Sequence, residues 1–324
     1  MAREVIVQTL AIKKKKRIYA IAFAPNGEEL AAVCGDLVIR VWNLATGDVR
    51  RFAVVEETSS GFDLTYLDEN RIIFGGVALR LWDIAADTWY TITPGSPWGR
   101  RLKASPSGDY LAEVNQTSST DWAAGAGLLI RKTDDWDLLP EMPGSANTTG
   151  GVAFSRDGRL LATGHMANVG ERIRRIGMLG NFEYAVNDYE YLVHVREFPG
   201  GNIIGTTDGW QQPVKHLAFS PDGRFLAGTA GPRLRIWDLE ADREVALHKR
   251  GTKHFQGLSF TDDGRFLATV SNDETVRIWD THTWTEHKTF TWEIGRLLNI
   301  SFAPDGLRIA AGSDSGQIVI WDAD

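Results

Sequence analysis

The chain has a single cysteine, Cys34, among 324 residues. A disulfide within the chain is excluded, so stability must come from packing, and the usage fits a reducing compartment. Excess positive charge is missing too. The formal net charge is −7, which argues against a surface that coats nucleic acid as a whole. No stretch approaches the ~18 consecutive apolar residues of a membrane-spanning helix, and no membrane partner is expected. "MAREVIVQTLAIKKKKR" makes a poor secretory signal, because Gln8 and Thr9 interrupt its apolar part and no small-residue cleavage site follows. A soluble, cytoplasmic protein is expected, nuclear if the source is eukaryotic and residues 13–17 act as an import signal.

Signatures of chemistry are equally scarce. There is no HExxH, no GxSxG, no Walker-type loop and no cysteine cluster spaced for a metal. "GAGLLI" at 125–130 begins like a dinucleotide fingerprint but lacks its last glycine and leads into a strand. His282, Glu286 and His287 lie close together; on a strand, though, His287 would face away from the other two. The sequence predicts no catalytic residue, no metal site and no cofactor, and hence no enzyme.

What the chain does contain is repetition. "LAFSPDGRFLAGTAGPRLRIWDLE", "LSFTDDGRFLATVSNDETVRIWDTH" and "ISFAPDGLRIAAGSDSGQIVIWDAD" follow one another, and Trp237, Trp279 and Trp321 stand 42 residues apart. Trp42 and Trp82 are 40 apart and are followed by Asn43 and Asp83. Each copy holds a turn of the "SPDG" kind, in which Ser suits the first position, Pro the second, and Gly the left-handed conformation that follows. Further turns read "APNG" (24–27), "SPSG" (105–108), "SRDG" (155–158), "TDDG" (261–264) and "APDG" (303–306), and Leu67–Asn70 supplies one more. That makes seven copies. Short strand-like runs such as "RLRIWD" flank them, and no helical period persists.

A period of 40–45 residues ending in Trp-Asp resembles the WD40 family, with four strands per propeller blade. The resemblance runs over residues 1–324 and implies a single all-β, seven-bladed propeller. It further implies that "EVIVQTL" (4–10) completes the last blade and closes the ring. Trp42, Trp82, Trp237, Trp279 and Trp321 become structural, as do Asp36 and Asp273, which in the family help tie a blade together. The Gly-His dipeptide that normally opens a repeat is missing. In copies three and four the Trp-Asp pair is replaced, by Lys132-Thr133 and Arg196-Glu197.

Two insertions, 115–127 in blade three and 165–190 in blade four, interrupt the pattern between second and third strands. They are expected as loops on one rim, the longer with a short helix over Arg172–Leu179 as an alternative. Trp98, Trp122, Trp210 and Trp292 fall on that rim, whereas Trp89, Trp136 and Trp284 read as outer-strand residues. Basic residues Lys13, Lys14, Lys15, Lys16 and Arg17, and Arg172, Arg174 and Arg175, are expected there too. Tryptophan buries a large area with few rotors and suits a contact surface, though each ring could equally pack blade on blade. The expected function is a non-catalytic binding scaffold: a monomeric propeller within a complex, holding an acidic protein or peptide on these rim residues. Recognition of nucleic acid or another polyanion through the basic loops is the alternative. An enzyme using the central channel is a third reading, and requires titratable groups to converge there.

Overall fold

The computed structural model describes residues 7–12, 16–53, 63–76, 78–93, 100–115, 127–143, 147–176, 182–249 and 251–322. At 7, 53, 100, 115, 171–176 and 182–187 the backbone alone is described. These residues form 27 strands, β1–β27 in chain order, and no helix.

The strands assemble into seven antiparallel sheets, six of four strands and one of three. Each sheet begins with an inner strand: β2 (Ile18–Phe23), β6 (Asp63–Tyr66), β10 (Arg100–Ala104), β13 (Thr148–Phe154), β17 (His216–Phe219), β21 (Phe255–Phe260) and β25 (Leu297–Phe302). Each inner strand contacts the next in chain order, and β25 returns to β2. The molecule is a seven-bladed propeller. Closure uses β1 (Val7–Ala11), which pairs with β27 (Gln317–Asp322) from Val7↔Trp321 to Ala11↔Gln317. Residues 1–6, including part of the expected closing strand, lie outside the described residues.

Alternating side chains explain why the blades stack. Ile39 and Val41 of blade one pack against Ile72 and Phe74 of blade two, and Ile18 packs against Ile318 and Ile320 of blade seven. Burying one such side chain is worth about 1.5–3 kcal/mol, available only when a neighbouring blade covers it. The predicted turns are present. In "SPDG" the Gly223 N–H donates to the Ser220 carbonyl at 2.8 Å, with Gly223 at φ 75°. Blade two has no glycine there; the Asp68 carboxylate accepts from the N–H groups of Asn70 (2.9 Å) and Arg71 (2.8 Å) instead.

Strand pairing also fixes what replaces tryptophan. Leu226 faces Trp237 and Leu267 faces Trp279; in blades three and four the equivalent pairs are Leu111↔Arg131 and Leu161↔Arg196. The replacement in blade three is therefore Arg131-Lys132, one residue earlier than the sequence spacing suggests, because register is set by the leucine opposite. In blade six, Trp279 Nε1 donates to Thr269 Oγ1 at 2.9 Å. In blade three, Glu113 takes that threonine's place and meets Arg131 Nε at 3.4 Å. Arg196 is fully buried and donates to the carbonyls of Pro143 and Gly201. Among the described residues blade three has no regular fourth strand; a bridge between Arg131 and Leu138 stands in its place.

Candidate functional site

Blade four departs most from its neighbours. Ordinary second and third strands have about six residues, whereas β14 (Leu160–Ile176) has 17 and β15 (Phe182–Glu197) has 16. Their pairing continues from His165↔Leu192 to Ile176↔Phe182, with a bulge between Asn168 and Gly170. At about 3.3 Å per residue, the eleven positions beyond His165 extend the ladder by roughly 35 Å. The insertion is a β-hairpin. The expectation of a loop, and the alternative of a helix over Arg172–Leu179, are both corrected. A ladder satisfies the backbone of a long excursion without a core of its own, and the β-branched and aromatic run "YAVNDYEYLVHV" favours it. The outer strand β16 (Ile203–Trp210) follows the hairpin's base, with Trp210 opposite Tyr191.

The proposed rim residues separate into four groups. Trp98, Trp122, Lys13, Lys14 and Lys15 lie outside the described residues, as does insertion segment 116–126. Arg172, Arg174 and Arg175 have backbone positions on β14 of the hairpin, and their side chains are outside the described set. Lys16 and Arg17 are exposed. Trp210 is turned inward, contrary to its expected display: only 7% exposed, it donates from Nε1 to Thr207 Oγ1 at 2.9 Å and packs against Leu217. The Arg235 guanidinium covers its ring at 4.6 Å. Trp292 is half-buried, stacked on Phe290 with centroids 5.6 Å apart and leaning on Trp321. Neither ring is a free anchor.

Of the three tryptophans expected in outer strands, one lies there and two do not. Trp89 lies in an outer strand, β9 (Thr88–Thr93). Trp136 and Trp284 occupy turns with φ of 65° and 54°, and Trp284 packs edge-on to Phe225. Of the repeat tryptophans, Trp42, Trp82, Trp279 and Trp321 are buried and Trp237 is half-buried. Asp36 pairs with Arg40, and Asp273 with Arg277 at 3.0 Å. An Asp–Arg pair four residues apart thus ties these two blades, without histidine. The hydrogen bond and charge of Arg40 hold the Asp36 carboxyl below its ordinary value despite burial. Burial raises the Asp273 pKa, but the hydrogen bonds of Thr275 and Arg277 outweigh it and bring the group to about 2. His282 lies in a turn, so it shares no strand face with Glu286.

The inner strands enclose a channel with a cavity of about 230 Å³. Titratable groups do converge there: Asp63 from blade two, Arg101 and Lys103 from blade three, Lys215 and His216 from blade five. Sequence reading missed all five, since they are scattered over 150 residues and follow no motif. Burial pushes the His216 imidazole down to about 3, helped by Arg101 and Lys215. It also lowers Lys103 and Lys215 and raises Asp63. Among the described residues no side chain of this group hydrogen-bonds another, so no nucleophile is coupled to a base, and no cluster fit to hold a metal is found.

Comparison with known proteins agrees with the architecture. The model of the "WD domain, G-beta repeat" matches residues 5–43, 201–238, 248–280 and 281–322. The chain carries WD40 repeats in these four segments. The unmatched stretch, 44–200, holds the blades in which arginine replaces tryptophan. Among curated relatives, the Target of rapamycin complex subunit wat1 of Schizosaccharomyces pombe is 31% identical over 94 residues, 28% of this chain and 30% of that protein. Periodic tryptophan protein 2 of Saccharomyces cerevisiae is 27% identical over 168 residues, 42% of this chain and 18% of that protein. Transcription initiation factor TFIID subunit 5 of Caenorhabditis elegans is 25% identical over 199 residues, 57% of this chain and 30% of that protein. The chain thus spans less than a third of the length of these WD40 relatives. The expected cytoplasmic location finds no support among them, since relatives are named for transcription initiation and pre-mRNA processing.

Proposed function

We propose that this WD40 propeller is a non-catalytic protein-binding scaffold within a multiprotein assembly, and that the blade-four hairpin is its principal contact element. The observation that carries the reading is the ladder from His165↔Leu192 to Ile176↔Phe182, which among the described residues lengthens one blade alone. A rigid ring fixes the base of this arm, so it can contribute its backbone edges and side chains with little ordering cost. Arg172, Arg174 and Arg175 on β14 would favour an acidic partner surface. Two relatives named as subunits, of a target of rapamycin complex and of TFIID, support the assembly reading. The names of relatives in transcription initiation and pre-mRNA processing favour a nuclear place of work.

The test compares affinity capture by the full chain and by a version in which residues 167–190 are replaced by Asn-Gly. That dipeptide closes a two-residue hairpin on the existing Met166↔Tyr191 pair. With melting temperatures matched, the full chain should retain a protein partner that the trimmed chain loses. Equal recovery by both would remove the hairpin from the binding surface. Capture of nucleic acid alone, lost steeply with salt, would favour the polyanion reading instead.

A further inference from the structure

The central channel contains more positive charge than its one carboxylate balances. Arg101 and Lys103 enter from β10 of blade three, and Lys215 and His216 from the start of the inner strand of blade five. Blade four, between them, contributes Gly150 and Val152 and no charge. Neutral polar residues such as Gln256, Ser259 and Ser301 complete the far wall.

The one carboxylate present is already engaged. Asp63 accepts from the backbone N–H of Leu64 at 2.9 Å and of Leu102 at 3.0 Å. The side chains of Arg101, Lys103, Lys215 and His216 make no hydrogen bond or ion pair with any described residue. Three cationic side chains therefore face one carboxylate around the channel cavity, in a protein whose net charge is −7. If these groups served only solubility they would lie on the outer surface, where separation and water screen them. Held around a shared cavity, they add to the effect of burial: the charge of Arg101 disfavours that of Lys215, and both disfavour protonation of His216.

An anion at their centre would relieve that repulsion. We propose that the central channel binds a small free phosphate-class anion, with Lys103, Lys215 and Arg101 as counter-charges and His216 as a further donor. The cavity of about 230 Å³ lies below the ~300–1,000 Å³ range of sites for drug-sized ligands. It suits one or two phosphoryl groups. Gly150 lines the site with φ of 114°, a backbone conformation that favours glycine. The inference is independent of the rim hairpin, and either can fail without the other.

The experiment is calorimetric titration of the full chain with sodium pyrophosphate, and separately with inorganic phosphate, at low ionic strength. Saturable binding of pyrophosphate at one site is expected, weakened at least tenfold in Lys103→Met and in Lys215→Met. Lys253→Met, an exposed loop lysine, should bind as the unmodified chain does. If a channel variant does not fold, the unmodified chain still provides the answer by NMR. Pyrophosphate should raise the pKa of the His216 imidazole from about 3, because a bound anion favours its protonated form. Absence of saturable binding, an unmoved His216, or equal weakening by Lys253→Met would overturn the proposal.

Discussion

Arg131 and Arg196 occupy positions that tryptophan holds in five other blades, and each solves a different problem of burial. Arg131 meets Glu113, whose side chain is wholly buried, so an ion pair replaces the Trp279–Thr269 hydrogen bond. Arg196 instead satisfies main-chain carbonyls of the segment beside it. Both exchange aromatic area for charge-assisted hydrogen bonds, which hold a buried position only when the donors are met. At the same scale, the Asp273 carboxyl titrates near 2 in the folded chain, below its ordinary value. Its contribution is therefore complete above about pH 4 and is lost as pH falls through 2. Asp273→Asn should cost about 2 kcal/mol at pH 7 and roughly half of that at pH 3. Denaturant unfolding at both values checks this; an equal loss at both would mean that packing, not charge, sets the role of Asp273.

At the scale of elements, the ring depends on β1. Five paired positions join β1 to β27, and the Ile12 N–H continues the contact to the Gly316 carbonyl at 3.1 Å. Deleting residues 1–11 exposes the edge of β27 and uncovers apolar side chains between blades seven and one. The melting temperature should fall by about 10 °C or more. An unchanged melting curve would show that the ring closes without this strand. The turns, the strand patterns and this closure were legible because each depends on neighbouring residues or on the repeat. The hairpin was not, since "ERIRRIG" has no clean alternation and its partner strand lies beyond a gap of unmatched sequence. Register over such a distance is decided by pairing. The same limit explains the one-residue displacement at Arg131, where no tryptophan marks the position.

For the whole molecule, the ring creates two features that no short stretch contains. One is the channel, where Asp63, Arg101, Lys103, Lys215 and His216 meet although they come from three different blades. The other is a fixed rim from which, among the described residues, blade four extends. Of the tryptophans expected to display themselves on that rim, Trp210 and Trp292 instead pack against neighbouring strands, because a large ring at a blade junction removes more apolar area from water inside than outside. The proposed recognition therefore rests on the hairpin. The most direct measurement is hydrogen–deuterium exchange of the chain alone and in the assembly it is captured with. New protection concentrated in residues 165–192 would agree with the proposed contact. Protection confined to the opposite rim, at turns such as 24–27, 220–223 and 303–306, with 165–192 unchanged, would contradict it.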